Sequence, residues 1–157
     1  MDELVQEPPS CTDGSGTFPV ASWNICSGRN VVLEGTLRAM YLLHVDLGIL
    51  QETKLTHNIY THIFGDYRVM ETEASSASQG GVALFWGEIE HYEIKEVTKH
   101  RPNVITVQLV IHRDSFYIVG YYIPPSDHAT LEEVKKAWKQ CPKGCLPLLI
   151  GNLNVDL

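Results

Sequence analysis

Short apolar segments separated by polar loops dominate the chain from residue 18 onward. Apolar runs of this length predict strands, and we place them at about 19–26, 45–51, 67–72, 82–86, 89–98, 103–111, 116–123 and 146–150. The strands at 89–98 and 103–111 flank a short polar turn and are expected to form a hairpin. By contrast, residues 1–17 are rich in Pro, Gly and Ser and have no hydrophobic period, so we predict a disordered leader. Residues 18–157 then form a single domain.

Helical spacing of apolar residues occurs in two places. Leu33, Leu37 and Met40 recur at the spacing of one helix face and predict an amphipathic helix over about 31–43. Thr130 and Glu133 form a capping box and predict a second helix over about 130–140. A short helical turn is predicted at 56–63. Strands mixed with helices in this way indicate a layered α/β (α+β) fold, with Trp23, Trp86 and Trp138 expected in its core or layer contacts.

Composition narrows the range of functions. The 157 residues are 44% hydrophobic and 20% charged, as in ordinary globular domains. Twelve Lys and Arg against nineteen Asp and Glu give a formal charge of −7. Proteins that coat duplex DNA usually carry a basic footprint, so any contact of this chain with DNA must be local. An acidic balance also suits a site that gathers carboxylates around a divalent cation.

Targeting signals and cysteine usage bear on the compartment. No apolar stretch is long enough to span a bilayer, and the first residues lack the basic and apolar regions of a secretory signal. We therefore expect an intracellular protein, nuclear or cytoplasmic. The four cysteines, Cys11, Cys26, Cys141 and Cys145, include no CxxC pair and are interpreted as free thiols in a reducing compartment.

Compact polar groups follow three of the predicted buried strands. These are Trp23-Asn24, Gln51-Glu52-Thr53-Lys54 and Asn152-x-Asn154. Loops at strand ends often carry ligands because rigid strands hold them in place. A carboxylate with several carboxamides could bind Mg²⁺ and a phosphate through oxygen ligands and neutral donors. Taken singly, each group is more simply interpreted as a solvated turn.

Five sequence blocks occur in an order and at a spacing that resemble the endonuclease/exonuclease/phosphatase superfamily. They are Ser22-Trp23-Asn24-Ile25, Leu50-Gln51-Glu52-Thr53-Lys54-Leu55, Gly80-Gly81-Val82-Ala83-Leu84, Tyr121-Tyr122-Ile123-Pro124-Pro125-Ser126-Asp127 and Leu149-Ile150-Gly151-Asn152-Leu153-Asn154-Val155. The resemblance is closest to the apurinic-like endonuclease domains encoded by non-LTR retrotransposons, which are reverse-transcriptase-encoding elements. No single block is specific, but together they cover residues 18–157.

The resemblance implies a four-layer α/β sandwich whose strand tips meet around Mg²⁺, with Mn²⁺ as a substitute, and an endonuclease that hydrolyses DNA phosphodiesters. By the same resemblance, Glu52 is the Mg²⁺ ligand and Asn24 places the phosphate. Tyr122 would hydrogen-bond a phosphate oxygen, and Asn154 would hold the attacking water or the transition-state oxygens. These residue types suit the chemistry, because neutral donors stabilise developing negative charge without neutralising the metal.

Two departures from the family pattern predict an impaired enzyme. The family has Gly-Asp-x-Asn in the last block, where the Asp orients or deprotonates the water, and this chain has Asn152 instead. The later strands of the family, with a further Asp and an Asp-His pair, have no counterpart before Leu157. We therefore expect a C-terminally truncated domain with an exposed apolar sheet face, covered by the missing C-terminal part or by another chain.

Basic residues supply candidate DNA contacts. Lys95, Lys99 and Arg101 share strand parity and are expected on one face. A solvated hairpin face is the simpler interpretation, and contact with the phosphate backbone is the alternative. Lys54 follows the predicted metal ligand and is either a DNA contact or an ordinary surface lysine.

Two other functions stay open beside the endonuclease. A catalytically inactive remnant that serves as a binding module is favoured by Asn152 and by the missing C-terminal part. A phosphatase of the same superfamily, acting on a small phosphorylated molecule or lipid, is opposed by the Gln-Glu-Thr-Lys block.

Overall fold

The computed structural model describes residues 18–55, 62–87 and 92–154. The predicted leader at 1–17 and most of the predicted turn at 56–63 lie outside these ranges. Within them, none of the helices has the length and apolar character needed to cross a membrane.

The described residues form nine strands and two helices. The strands are β1 (Val20–Asn24), β2 (Leu47–Gln51), β3 (His62–Phe64), β4 (Tyr67–Glu71), β5 (Val82–Gly87), β6 (Tyr92–Arg101), β7 (Val104–Ile111), β8 (Asp114–Ile123) and β9 (Leu146–Leu153). The helices are α1 (Asn30–Leu42) and α2 (His128–Lys139). Both helices and most strands agree with the sequence prediction to within a few residues.

The strands form two sheets. Sheet I has the order β1-β2-β5-β4-β3, and sheet II has the order β6-β7-β8-β9. Strands β1 and β2 run parallel, as do β8 and β9, whereas the other neighbours are antiparallel. The two parallel pairs matter for function, because the ends of parallel neighbours lie at the same edge of a sheet.

The two sheets pack face to face around an apolar core. Leu47 and Ile49 of sheet I meet Ile105 and Ile118 of sheet II, and all four side chains are essentially inaccessible to solvent. Gly120 makes room for this contact, because a Cβ there would lie 2.6 Å from Cδ1 of Ile49. Sheet II, with four strands, is therefore well developed in this chain.

Each helix covers the outer face of one sheet. Leu33, Leu37 and Met40 of α1 pack against sheet I around Phe85. Helix α2 packs on sheet II, where the Tyr117 hydroxyl donates to the carbonyl of Ala137 at 3.1 Å. The layers are thus helix, sheet, sheet and helix, and the predicted four-layer α/β sandwich is confirmed.

Three local predictions need correction. Helix α2 is capped by Asp127, whose carboxylate accepts the Thr130 backbone N–H at 2.9 Å, so Thr130 is not the cap. The segment His62–Phe64 is a strand, because it pairs with β4, and not the end of a helical turn. Strand β9 continues to Leu153, which places Asn152 inside the strand and not in the loop after it.

One group of solvent-exposed apolar side chains lies along the edge of the sandwich where the terminal strands β1 and β9 lie against each other. Trp23 on β1 is 58% exposed, so its predicted place in the core is wrong. On β9 the exposed leucines are Leu146, Leu148, Leu149 and Leu153. Further exposed apolar side chains lie on and beside the helices, at Val31, Leu42, Leu43 and Trp138. The wide exposed sheet face that we expected is not present in the described residues, because the inner faces of the two sheets bury each other.

This edge predicts binding of a hydrophobic dye to the folded chain. We expect dye fluorescence to fall when Leu148→Lys and Leu149→Lys are combined, because charges on an edge strand break its apolar surface. Val31→Lys, which alters an exposed residue of α1, is the matched control. Equal dye fluorescence in the two variants would show that the edge does not bind the dye.

Candidate active site at the strand tips

The C-terminal ends of the two parallel strand pairs meet at one end of the sandwich. Beyond β1 and β2, the backbone N–H of Ile25 donates to Gln51 and that of Ser27 donates to Glu52, both at 3.0 Å. Beyond β8 and β9, the N–H of Asn154 donates to the carbonyl of Ile123 at 3.3 Å. The loops therefore continue the strand ladders, and their polar side chains are held on ordered backbone.

The Gly80-Gly81 pair fixes the loop that carries Glu52. The N–H of Lys54 donates to Gly80 at 2.9 Å and that of Thr53 to Gly81 at 3.4 Å. Gly81 has φ of +87°, and a Cβ there would overlap the Thr53 hydroxyl, so a side chain is excluded at this position. This contact explains why a Gly-Gly block far along the sequence accompanies the Gln-Glu-Thr-Lys block.

Glu52 lies at the centre of the site with its carboxylate half-buried. The Tyr122 hydroxyl donates to Oε1 of Glu52, and the ammonium of Lys54 lies 3.7 Å from Oε2. Burial acts to raise the pKa of Glu52, but hydrogen bonds from Tyr122, Cys26 and Asn24 and the charge of Lys54 outweigh it. The pKa of Glu52 is therefore below its ordinary value, and the carboxylate is ionised at neutral pH.

Tyr122 connects sheet II to sheet I. Its ring is buried between the sheets, and its hydroxyl reaches Glu52 and the side chain of Asn154. Burial raises the pKa of Tyr122, and the hydrogen bond to Glu52 and its negative charge raise it further. The phenol consequently stays protonated and acts as a hydrogen-bond donor.

Asn152 stands next to Tyr122 across the β8–β9 register. Because side chains of residues paired in this way lie on the same face of a sheet, Asn152 faces the inside of the sandwich together with Tyr122 and precedes Asn154 by two residues. Among the described residues that meet at this point, Glu52 supplies the carboxylate, and neutral amides and the Tyr122 hydroxyl surround it.

Several solved structures have a similar fold. The endonuclease domain of TRAS1, a telomere-specific non-LTR retrotransposon, matches with a TM-score of 0.65 at 15% identity, covering 90% of this chain and 61% of that chain. TDP2 of D. rerio, complexed with single strand DNA product, matches with a TM-score of 0.57 at 15% identity, covering 85% of this chain and 59% of that chain. A humanized D. rerio TDP2 with 14 mutations gives 0.60 at 14% identity, covering 87% and 66%.

The chain has the endonuclease/exonuclease/phosphatase fold. The predicted resemblance is therefore confirmed at the level of the fold. At the level of sequence, no family model and no curated protein matches the chain. The chain spans 59–66% of the length of these three structures.

Within this fold, four of the predicted site residues gather around one point. Asn24, Glu52, Tyr122 and Asn154 are linked by side-chain hydrogen bonds, and Lys54 adds its ammonium to the same group.

Gln51, although it belongs to the Gln-Glu-Thr-Lys block, points away from this cluster. Its amide donates to the Ser22 hydroxyl at 2.8 Å and is buried.

The prediction that Lys95, Lys99 and Arg101 lie on one face of β6 is wrong. Bulges between Ile94 and Glu96 and between Lys99 and Arg101 interrupt the alternation of side chains. The Nε atom of Arg101 lies 3.8 Å from Oε1 of Glu133 on α2, which covers the outer face of sheet II. Lys95 forms an exposed ion pair with Glu93 at 2.7 Å, and the charge of Lys99 acts on Glu71. The candidate DNA contact nearest to Glu52 is therefore Lys54.

The sequence analysis missed two side chains in this part of the fold, Cys26 and Glu71. The thiol of Cys26 hydrogen-bonds Glu52, and its only sequence signal was a position two residues after Asn24 in the tip of β1. Glu71 ends β4 with 1% exposure. The alternation of apolar residues in β4 places Glu71 on a buried face, but an acidic residue at the end of a strand is ordinarily read as a loop residue.

Burial raises the pKa of Glu71 to about 7, although the charge of Lys99 acts to lower it. Because the folded-state pKa exceeds the ordinary value of 4.5, the unfolded chain releases this proton first and stability falls as pH rises from about 4.5 to 7. We expect Glu71→Gln to remove this loss, which amounts to about 3 kcal/mol at most. Urea unfolding at pH 5, 6, 7 and 8 measures it.

The matched control is Glu73→Gln, which changes an exposed carboxylate two residues away and should keep the wild-type pH profile. A wild-type profile in Glu71→Gln would mean that the Glu71 carboxyl is ionised in the folded chain at neutral pH.

Proposed function

We propose that the chain hydrolyses phosphodiester bonds in DNA with the help of a divalent cation, Mg²⁺ or Mn²⁺, and that Asn152 makes it a weak enzyme. The observation that carries this proposal is the hydrogen bond between Tyr122 and Glu52. It brings an ionised carboxylate, a phenolic donor and two asparagines from both sheets to one point, in a fold that D. rerio TDP2 displays with a DNA product.

The donor set suits a magnesium ion that is held partly by the substrate. Among the described residues, no group of three or more His, Cys, Asp and Glu side chains is arranged to hold a metal. Magnesium, however, is commonly bound through one or two carboxylates plus substrate phosphates. Glu52 would be that carboxylate, and the bound cation would offset the negative charge that develops on the phosphate oxygens.

Neutral donors around Glu52 would bind the phosphate itself. Asn24 and Asn154 carry amide N–H groups, and Tyr122 carries one O–H that cannot serve two acceptors at once. In the free chain this O–H is given to Glu52. With Glu52 engaged by a cation and a phosphate in place, Tyr122 would donate to a phosphate oxygen. Preorganised donors of this kind favour the transition state because charge grows on the oxygens they face.

Contact with DNA would be local to these tips. The chain carries a net charge of −7, which opposes a broad DNA-binding face. Lys54 is the cation beside the site, and it would pair with a backbone phosphate next to the one that reacts. We therefore expect weak, salt-sensitive binding of DNA.

Asn152 favours a second function, that of an inactive binding module. An amide at this place has the shape of a carboxylate but no useful basicity, so the attacking water would lack a general base. Losing such a group lowers rates by about 10²–10⁴-fold. A module of this kind would bind DNA through the same amides and Lys54 without cutting it.

Nicking of supercoiled plasmid and of an abasic-site duplex tests the proposal. We expect slow conversion of plasmid to the nicked circle in Mg²⁺ and none in EDTA, because the cation is required at Glu52. Cutting that persists in EDTA would contradict it. Absence of cutting by a folded chain that binds DNA would instead favour the binding module.

Competition between ligands tests the phosphatase alternative. DNA oligomers should inhibit nicking, whereas inositol phosphates should not. A nuclease site recognises the phosphodiesters on either side of the one it cleaves, and inositol phosphates lack such a backbone. Release of inorganic phosphate from an inositol phosphate, without nicking, would assign the site to a phosphatase.

A further inference from the structure

The thiol of Cys26 is held beside Glu52 by the turn at the end of β1. Cys26 has φ of 48°, in the left-handed region, and its backbone N–H donates to Oδ1 of Asn24 at 3.0 Å. The next residue, Ser27, is tied to the carbonyl of Glu52 at 3.0 Å. Because the Cys26 N–H is bound to Asn24 and the Ser27 N–H is bound to Glu52, this turn fixes the position of the thiol relative to the carboxylate.

One cation is already shared by this sulfur and this carboxylate. The ammonium of Lys54 lies 3.4 Å from Sγ of Cys26 and 3.7 Å from Oε2 of Glu52. The thiol in turn hydrogen-bonds Glu52. Sulfur and carboxylate oxygen therefore face a common position that accepts a positive charge, and the thiol is exposed enough for a solvent ion to reach it.

The chemistry of the two donors differs. A carboxylate is a hard ligand that suits Mg²⁺ and Mn²⁺, whereas a thiolate favours Zn²⁺ and Cd²⁺. We propose that Cys26 is a second protein ligand beside Glu52 and gives the site a preference for thiophilic divalent cations over Mg²⁺. The inference rests on the proposed role of Glu52 as a cation ligand. On binding, the thiol proton passes to solvent, and no group is oxidised or reduced.

Titration with Cd²⁺ alone tests this assignment without using activity. Bonding of Cd²⁺ to a thiolate produces an ultraviolet charge-transfer band, which we expect in the wild-type chain. Cys26→Ser should lose the band and bind Cd²⁺ about 10-fold more weakly or worse, while Mg²⁺ affinity changes less than about twofold because Mg²⁺ gains little from sulfur. The matched control, Cys141→Ser with Cys145→Ser, should keep the band.

A second variant guards against misfolding of the first. Cys26→Asp keeps a short side chain that tolerates the left-handed backbone and replaces sulfur by a carboxylate. We expect it to lose the Cd²⁺ band and to bind Mg²⁺ several-fold more tightly than the wild-type chain does. A Cd²⁺ band that survives in both Cys26 variants would overturn the inference.

Glu52→Gln separates this inference from the proposed function. If Mg²⁺-dependent nicking disappears in Glu52→Gln but the Cd²⁺ band does not depend on Cys26, the function stands and the ligand assignment fails. If the chain never nicks DNA, yet its band needs Cys26 and weakens in Glu52→Gln, the ligand assignment stands and the function fails.

Discussion

Glu52→Gln is expected to reduce Mg²⁺-dependent nicking by about 10³-fold or more, because electrostatic stabilisation by a cation supplies several kcal/mol. Gln has nearly the same shape as Glu and can still accept the hydrogen bonds of Tyr122 and Asn24. It carries no charge, however, and is a much poorer ligand for Mg²⁺. The variant therefore removes the charge at the centre of the site and leaves the strand tips in place.

Initial rates of plasmid nicking over a range of Mg²⁺ concentrations measure this effect. Glu34→Gln, which neutralises an exposed carboxylate on α1, is the matched control and should cut at the wild-type rate. Near-ultraviolet circular dichroism should be the same for both variants and the wild type. A Glu52→Gln chain that nicks DNA as fast as the wild type would remove Glu52 from the mechanism.

Asn152→Asp is expected to raise nicking by about 10²–10⁴-fold, the range that a positioned general base contributes. The residue is half-buried on β9 beside Tyr122, so a carboxylate there would face the same space as Glu52. Two nearby carboxylates repel each other, and the gain should therefore be largest at high Mg²⁺, where the cation offsets the repulsion.

Asn154→Asp is the matched control for this gain of function. It introduces the same charge two residues away but removes an amide that reaches Tyr122, so its rate should not rise above that of the wild type. If Asn152→Asp folds and binds DNA but cuts no faster than the wild type, then a missing base at this position is not what limits the rate.

Local pattern was sufficient for much of the architecture. The helical spacing of Leu33, Leu37 and Met40 correctly predicted α1, because a helix that covers a sheet must present one apolar stripe. The apolar runs predicted most of the strands for a similar reason. The family resemblance carried by the five sequence blocks implied the four-layer sandwich, which the comparison with solved structures confirms at the level of the fold.

Other features of the site and fold could not be predicted from the local sequence pattern, because they depend on tertiary contacts and on backbone geometry. The hydrogen bond of Tyr122 to Glu52 spans 70 residues and exists only because the two sheets pack face to face. Bulges in β6 separated Lys99 from Arg101, since one extra residue reverses the alternation that the prediction assumed. Asp127 displaced Thr130 as the cap of α2 because cap geometry depends on backbone angles that composition does not reveal.

The sequence by itself therefore determined the helices, most strands and the residue types available for chemistry, because these follow from local periodicity. The layer order came from the family resemblance that the five blocks carry. Only the tertiary structure decided which of those residues meet. It placed Cys26 and Lys54 at Glu52, buried Gln51 and Glu71, and exposed Trp23. The physical reason is that proximity across two sheets depends on how their faces pack, which no short stretch of sequence specifies.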